Sequence, residues 1–227
     1  MSSVPSEKVN YLRGKWIVVE GPDRIGKTTL INNFVSYLES NGIVREDIVT
    51  IAFPRRQSQI GVLLANHLSR KIMLNEKSQV ILFIADMLES YNQIRSSLCA
   101  NKVIICDRYT ASTFSYALAQ NSLSSQENRL TESWLEKAIS LVKQPDLYVF
   151  ILPDEANSIK IFERPGFGKE RTETPDIQRK VIEYMKYYGS TYVKNVTSQI
   201  EIIVKESDTQ LDILKTLVKK LEINEFD

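Results

Sequence analysis

The sequence predicts a three-layer α/β sandwich around a five-stranded parallel sheet, and three observations carry that prediction. Short apolar runs recur at Trp16–Glu20, Ile48–Phe53, Val103–Cys106, Leu147–Ile151 and Ile200–Val204. They alternate with longer segments whose apolar residues return every three or four positions, as on one face of a helix; such alternation gives parallel strands with right-handed crossovers. Finally, Val103-Ile104-Ile105-Cys106 is apolar without interruption, as a central strand covered on both faces must be.

Taken in order, residues 1–14 are polar and predict a flexible tail, leaving 15–227 as a single domain. The first strand leads into Gly21-Pro22-Asp23-Arg24-Ile25-Gly26-Lys27-Thr28. A helix carrying Leu30, Ile31, Phe34, Val35 and Leu38 follows, and Asn41-Gly42 is its left-handed stop signal. Pro54 ends the second strand. Two helices come next, one with Ile60, Leu63, Leu64, Leu68 and Ile72, the other with Val80, Ile84, Met87, Tyr91, Ile94 and Leu98. Asp107-Arg108-Tyr109 closes the central strand. Residues 110–143 read as helical with a polar break near Asn121–Gln126, and Arg164-Pro165-Gly166-Phe167-Gly168 reads as a mobile loop. Helices through Ile182, Met185 and Tyr188 and through Ile213, Leu217 and Leu221 flank the last strand.

With 227 residues, 43% of them hydrophobic, the chain has material for one large core. A net charge of +1 supplies no general attraction for nucleic acid or anionic lipid, so an electropositive site has to be local. Nucleic acid is not an expected partner, and neither is a membrane: Met1 to Lys15 is polar and the apolar run after it is too short to span. Two cysteines without metal spacing suit a reducing compartment, and Cys106 falls where a buried thiol is expected. The expected setting is cytoplasmic, with the nucleus open.

A glycine-framed loop between a strand and a helix is a phosphate cradle. Gly21 and Gly26 let backbone N–H groups turn inward, and the helix aims its positive end at the same point. Lys27 would reach the β- and γ-phosphates and the Thr28 hydroxyl would sit on Mg²⁺. In a parallel sheet ligands bind beyond the carboxyl ends of the strands, where Phe53-Pro54-Arg55-Arg56, Asp107-Arg108 and the Arg164 loop also lie. Asp107 is placed to hold Mg²⁺ directly or through water. Arg24, inside the loop, could reach the transferred phosphoryl as an internal arginine finger. Asp23 is acidic beside bound phosphates, which points it toward something else, such as a sugar hydroxyl of a second substrate.

These residues resemble those of the thymidylate kinases, the P-loop nucleoside-monophosphate kinases that convert dTMP and ATP to dTDP and ADP, in their eukaryotic and poxviral form with arginine in the loop. The resemblance runs from the loop to about Gln178. It implies catalytic roles for Arg24, Lys27 and Asp107, metal binding by Thr28 and Asp107, and ATP binding by Gly21, Gly26, Lys27, Thr28, Thr29 and Arg164. For dTMP it implies Asp23 on the 3′-hydroxyl, Arg56 and Arg108 on the phosphate, Phe83 stacked on the base, Tyr116 against the deoxyribose, and Phe53, Ser112 and Gln178 beside them. Residues 163–175 resemble the family's lid. The family is usually homodimeric, and the helices over Leu63–Ile72 and Val80–Leu98 are candidates for the contact.

The sequence departs from the family pattern twice. Asp86-Met87-Leu88 stands where the family has Asn-Arg-Trp, removing the arginine that reads the pyrimidine edge, and Thr172 replaces a lid tyrosine. His67, on a partly apolar helix side, reads as a packing or subunit-contact residue. Two other readings stay open here: a same-fold kinase for dUMP or dGMP, and a nucleotide-binding module without turnover.

Overall fold

The computed structural model describes residues 7–122, 130–163, 167–194 and 197–223. Five strands, β1 (Trp16–Glu20), β2 (Ile48–Ala52), β3 (Val103–Asp107), β4 (Leu147–Pro153) and β5 (Ser198–Val204), form one parallel sheet in the order β2-β3-β1-β4-β5. β1 lies at the centre, with Val18 paired to Cys106 on one side and to Tyr148 on the other.

The side-chain alternation of β1 builds the three layers. Trp16 and Val18 join a core with Ile104, Cys106, Tyr148 and Phe150, roofed by α3 (Glu76–Cys99), α4 (Thr110–Asn121), α5 (Glu132–Ile139) and α7 (Pro175–Tyr188). Ile17 and Val19 join the opposite core with Ile105, Val149 and Ile151, covered by α1 (Lys27–Ser40), α6 (Glu155–Glu163) and α8 (Gln210–Ile223). Because both faces are covered, every residue of β1 and β4 is buried.

Several boundaries differ from the expectations. Glu7–Leu12 forms a 3-10 turn that buries Val9 and Leu12 under α1, so the expected tail is ordered from residue 7 onward. The first helix after β2 is α2 (Gln59–Leu68), which stops before Ile72 at a Ser69 cap. Helix α6 falls in a stretch to which the periodicity assigns no element; its signal is local, Asp154 accepting from Asn157 N at 2.8 Å ahead of Glu155. The polar break between α4 and α5 lies largely outside the described residues. Gly42, at φ 97°, ends α1 in the left-handed conformation that Asn41-Gly42 predicts. Cys99 is an exposed free thiol, while Cys106 is buried.

Candidate active site

Beyond the carboxyl ends of β1, β2 and β3 lies a cavity of about 760 Å³, bounded by the loop after β1, the turn after β2, α3, α4 and residues 170–173. The loop after β1 is held tightly. A Cβ on Gly21 would meet the Ile151 carbonyl at 2.5 Å, and Gly26, at φ 105°, would press one to 2.5 Å from the Gln210 amide of α8. Gly26 caps α1 without a side-chain acceptor, which leaves first-turn N–H groups to an anion. Lys27 is buried and donates to Pro22 O at 2.7 Å. Burial, with Arg108 nearby, pushes its pKa down to about 8 against the pull of Asp107, Asp23 and Glu20.

On the acceptor side, Arg108 is the hub. Its guanidinium donates to Gly21 O at 3.1 Å, to Ser112 Oγ at 3.0 Å and to Asp23 Oδ1, and it lies over the Tyr116 ring at 5.3 Å. Glu20, fully buried at the end of β1, accepts from Tyr109 N at 2.8 Å and Ser112 N at 3.1 Å as well as from the Ser112 hydroxyl. It thereby caps the N-terminus of α4 and sets the turn that carries Arg108, although burial raises its own pKa. Arg24 and Arg108 both take left-handed backbone, at φ 62° and 71°, conformations that cluster at functional sites.

Burial works against the Asp23 charge, but Arg108 and Lys27 overcome it and hold the carboxyl below its usual range. A depressed folded pKa contributes stability above the unfolded value of 3.8 and loses it as pH falls through the folded one. The expected result is a shallower acid limb for Asp23→Asn than for wild type in urea denaturation below about pH 4; identical limbs would show that Asp23 is uncoupled from folding.

The remaining expected residues are placed unevenly. Phe83, Tyr116, Ser112 and Phe53 line the cavity, Phe53 tilted against Tyr109 at 5.6 Å. Gln178 does not: it is fully buried behind Asp23, accepting from Asp23 N at 3.0 Å and donating to Asp23 Oδ2 at 2.8 Å and Thr172 O at 3.0 Å. Thr29 is exposed on the first turn of α1 and away from the cavity wall. Arg164 lies outside the described residues. Arg56 reaches only the rim, its side chain 66% exposed and 3.3 Å from Glu170.

Residues 167–174 contribute pairings that local patterns did not predict. Glu173 accepts from Arg24 Nε at 2.8 Å and from the N–H groups of Lys169 and Glu170 at 2.9 and 3.1 Å. Arg171 N donates to Leu68 O, at the end of α2, at 2.8 Å. His67 is buried there, its Nδ1 accepting from Leu74 N at 3.1 Å, which suits the packing role.

A metal can be tested against the residues present. Thr28 Oγ1 donates to Asp107 Oδ2 at 2.9 Å, and the buried Asp107 Oδ1 has no partner among the described residues. One carboxylate and one hydroxyl fit Mg²⁺, which keeps waters and takes phosphate oxygens. No group of three or more acidic, histidine or cysteine residues able to hold a metal lies among the described residues.

A phosphate loop that opens onto a cavity shared with Arg108, Tyr116 and Phe83 marks the chain as a P-loop phosphotransferase. Known proteins make this narrower. The family model for thymidylate kinase matches residues 19–207. Thymidylate kinase of Caenorhabditis elegans is 34% identical over 181 residues, 76% of this chain and 77% of its own. That of Plasmodium falciparum is 29% identical over 95% of both chains. The structure of the Candida albicans thymidylate kinase matches with a TM-score of 0.77 at 27% identity, over 95% of this chain and 94% of that one. The chain belongs to the thymidylate kinase family.

Proposed function

We propose that this chain catalyses ATP-dependent phosphorylation of dTMP to dTDP. The observation that carries the reading is the double tie of Asp23 to Arg108 and Gln178, which turns an acidic residue of the phosphate loop toward the acceptor cavity. ATP lies with its phosphates on the first-turn N–H groups of α1, and Lys27 exchanges Pro22 O for the β- and γ-oxygens. Arg108 and Arg56 hold the dTMP phosphate, Asp23 takes the 3′-hydroxyl, Phe83 stacks on the base, and Tyr116 packs against the deoxyribose. Gln178 positions Asp23 from behind.

A phosphate oxygen of dTMP attacks the γ-phosphorus, and the bond to the ADP oxygen breaks. No general base is needed, because the acceptor is already an anion. Arg24 leaves Glu173 for the equatorial oxygens as charge spreads over them. Thr28 and Asp107 would hold Mg²⁺, which when bound neutralises charge on the β- and γ-phosphates. Residues 163–175 act as a lid, and its closure excludes water.

A homodimer belongs to the same proposal. Val62 and Leu63 on α2 and Ile81 and Leu88 on α3 leave apolar side chains exposed, the surface a second copy would cover. No helix of the described residues is long and apolar enough to cross a membrane, and a cytoplasmic setting suits the free Cys99 thiol.

The test couples ADP release to a readout with dTMP, dUMP, dGMP and thymidine offered in turn. We expect dTMP to give the highest kcat/KM and thymidine no turnover. Silence with every monophosphate would remove the kinase reading, and faster turnover of dUMP or dGMP would remove dTMP as the preferred acceptor.

A further inference from the structure

On α3, Gln79, Val80, Phe83, Met87 and Gln93 line the cavity. Met87, one helical turn after Phe83, is buried and lines the cavity with a thioether that donates nothing. The residue beside it is more informative. Asp86 has no exposed surface, yet its carboxylate accepts from Arg55 N at 2.7 Å, from Arg55 Nε at 3.1 Å and from Ser58 Oγ at 2.8 Å. A buried carboxylate of α3 thus seizes a side chain from the turn between β2 and α2.

The consequence for Arg55 is directional. It lines the same cavity as Phe83 and Met87, and its side chain is only 20% exposed. Its side-chain bond runs through Nε, so among the described residues the two terminal amino groups of the fork stand open to a ligand. Asp86 lies three residues after Phe83 on α3, so the anchor fastens Arg55 to the helix that carries Phe83 and Met87, and the side chains of Arg55, Phe83 and Met87 line one cavity.

Resting on dTMP as the acceptor, we propose that Arg55 reads the carbonyl edge of the acceptor base, with Asp86 as its positioning residue. Arginine is a donor at every nitrogen and cannot lose its proton at working pH. It therefore favours bases that present an oxygen, as thymine and uracil do at position 4. Cytosine carries an amino group at that position, so donor would face donor. Selection for a keto base comes from the loop before α2, while the position on α3 that could have supplied it holds methionine.

The experiment uses the full chain and the ADP-release assay, comparing kcat/KM for dTMP and dCMP in wild type, Arg55→Met, Asp86→Asn and the double variant. Arg55→Met should lower the dTMP to dCMP ratio by roughly tenfold to a hundredfold, as loss of a charged hydrogen bond predicts, with KM for ATP unchanged. Asp86→Asn, which can still accept from Arg55 N, should show a smaller fall. The double variant removes the buried charge that Arg55→Met leaves without its ion pair, and it should keep the low ratio. If Arg55→Met does not fold, the double variant, which leaves no unpaired buried charge, reads the same ratio and should show the same fall.

Equal losses for dTMP and dCMP would overturn the proposal, since they would mean that the pair only braces the loop. Recovery of the wild-type ratio in the double variant would do the same. Wild-type protein inactive on dTMP would overturn the kinase reading itself, whereas an active wild type with an unchanged ratio in the variants overturns this inference alone.

Discussion

Arg24→Ala is expected to lower kcat by about a thousandfold or more, with the Kd for ATP close to that of wild type. Arg24 is engaged by Glu173 at 2.8 Å, a contact that the proposed transfer step exchanges for the phosphoryl oxygens. On the proposed mechanism its contact with the phosphoryl group forms as charge develops there, and interactions of that kind appear in kcat. The variant is a clean one. The left-handed backbone at φ 62° already carries a Cβ, so alanine adds no strain of its own. Single-turnover kinetics and equilibrium ATP titration together decide the matter; equal losses in both would make Arg24 a ground-state contact.

The second large effect is expected at Arg108. Arg108→Met removes the donor to Gly21 O, Ser112 and Asp23 together, and it leaves the Asp23 carboxylate with Lys27 alone as counter-charge. Breaking such a pair costs about 3 kcal/mol, visible as a lower urea midpoint. KM for dTMP should rise at least tenfold to a hundredfold, as for a lost charged hydrogen bond to phosphate. The double variant with Asp23→Asn separates the two losses. It should recover much of the midpoint and none of the acceptor KM; recovery of both would place the acceptor phosphate elsewhere.

The parts of this site that could be read from the sequence are the local ones. Gly21 to Thr28 and Asp107-Arg108 are short motifs whose meaning depends on a strand before and a helix after, and both contexts are present. β1, β3 and β4 were legible because burial on both faces makes them almost continuously apolar, and the edge strands β2 and β5, whose burial is broken by exposed positions, were legible from shorter apolar runs. What could not be read are pairings set by topology. Arg24 meets Glu173 and Arg56 meets Glu170 only because β4 and α6 return the chain to the loop. The pairing of Arg55 with Asp86 crosses from one connection to another helix, and no spacing rule reports it. Gln178, expected on dTMP, lies behind Asp23 and off the cavity wall, since spacing along the chain reports neighbours and not depth. The ordered turn at Glu7–Leu12 was hidden because two apolar residues in a polar stretch give no period.

The order of the sheet also bears on how the protein is made. β1, the strand that carries the phosphate loop, is synthesised first, yet its partners are β3 and β4, and the amide that closes on Gly26 belongs to Gln210. At the usual speed of translation the loop therefore waits on the order of ten seconds or more for its last support. Parallel pairings across such separations also fold slowly once the chain is free. Completion of the cradle is thus expected late in the nascent chain, once α8 has packed beside Gly26. Truncations that stop short of residue 210 would keep the motif and lose the cradle.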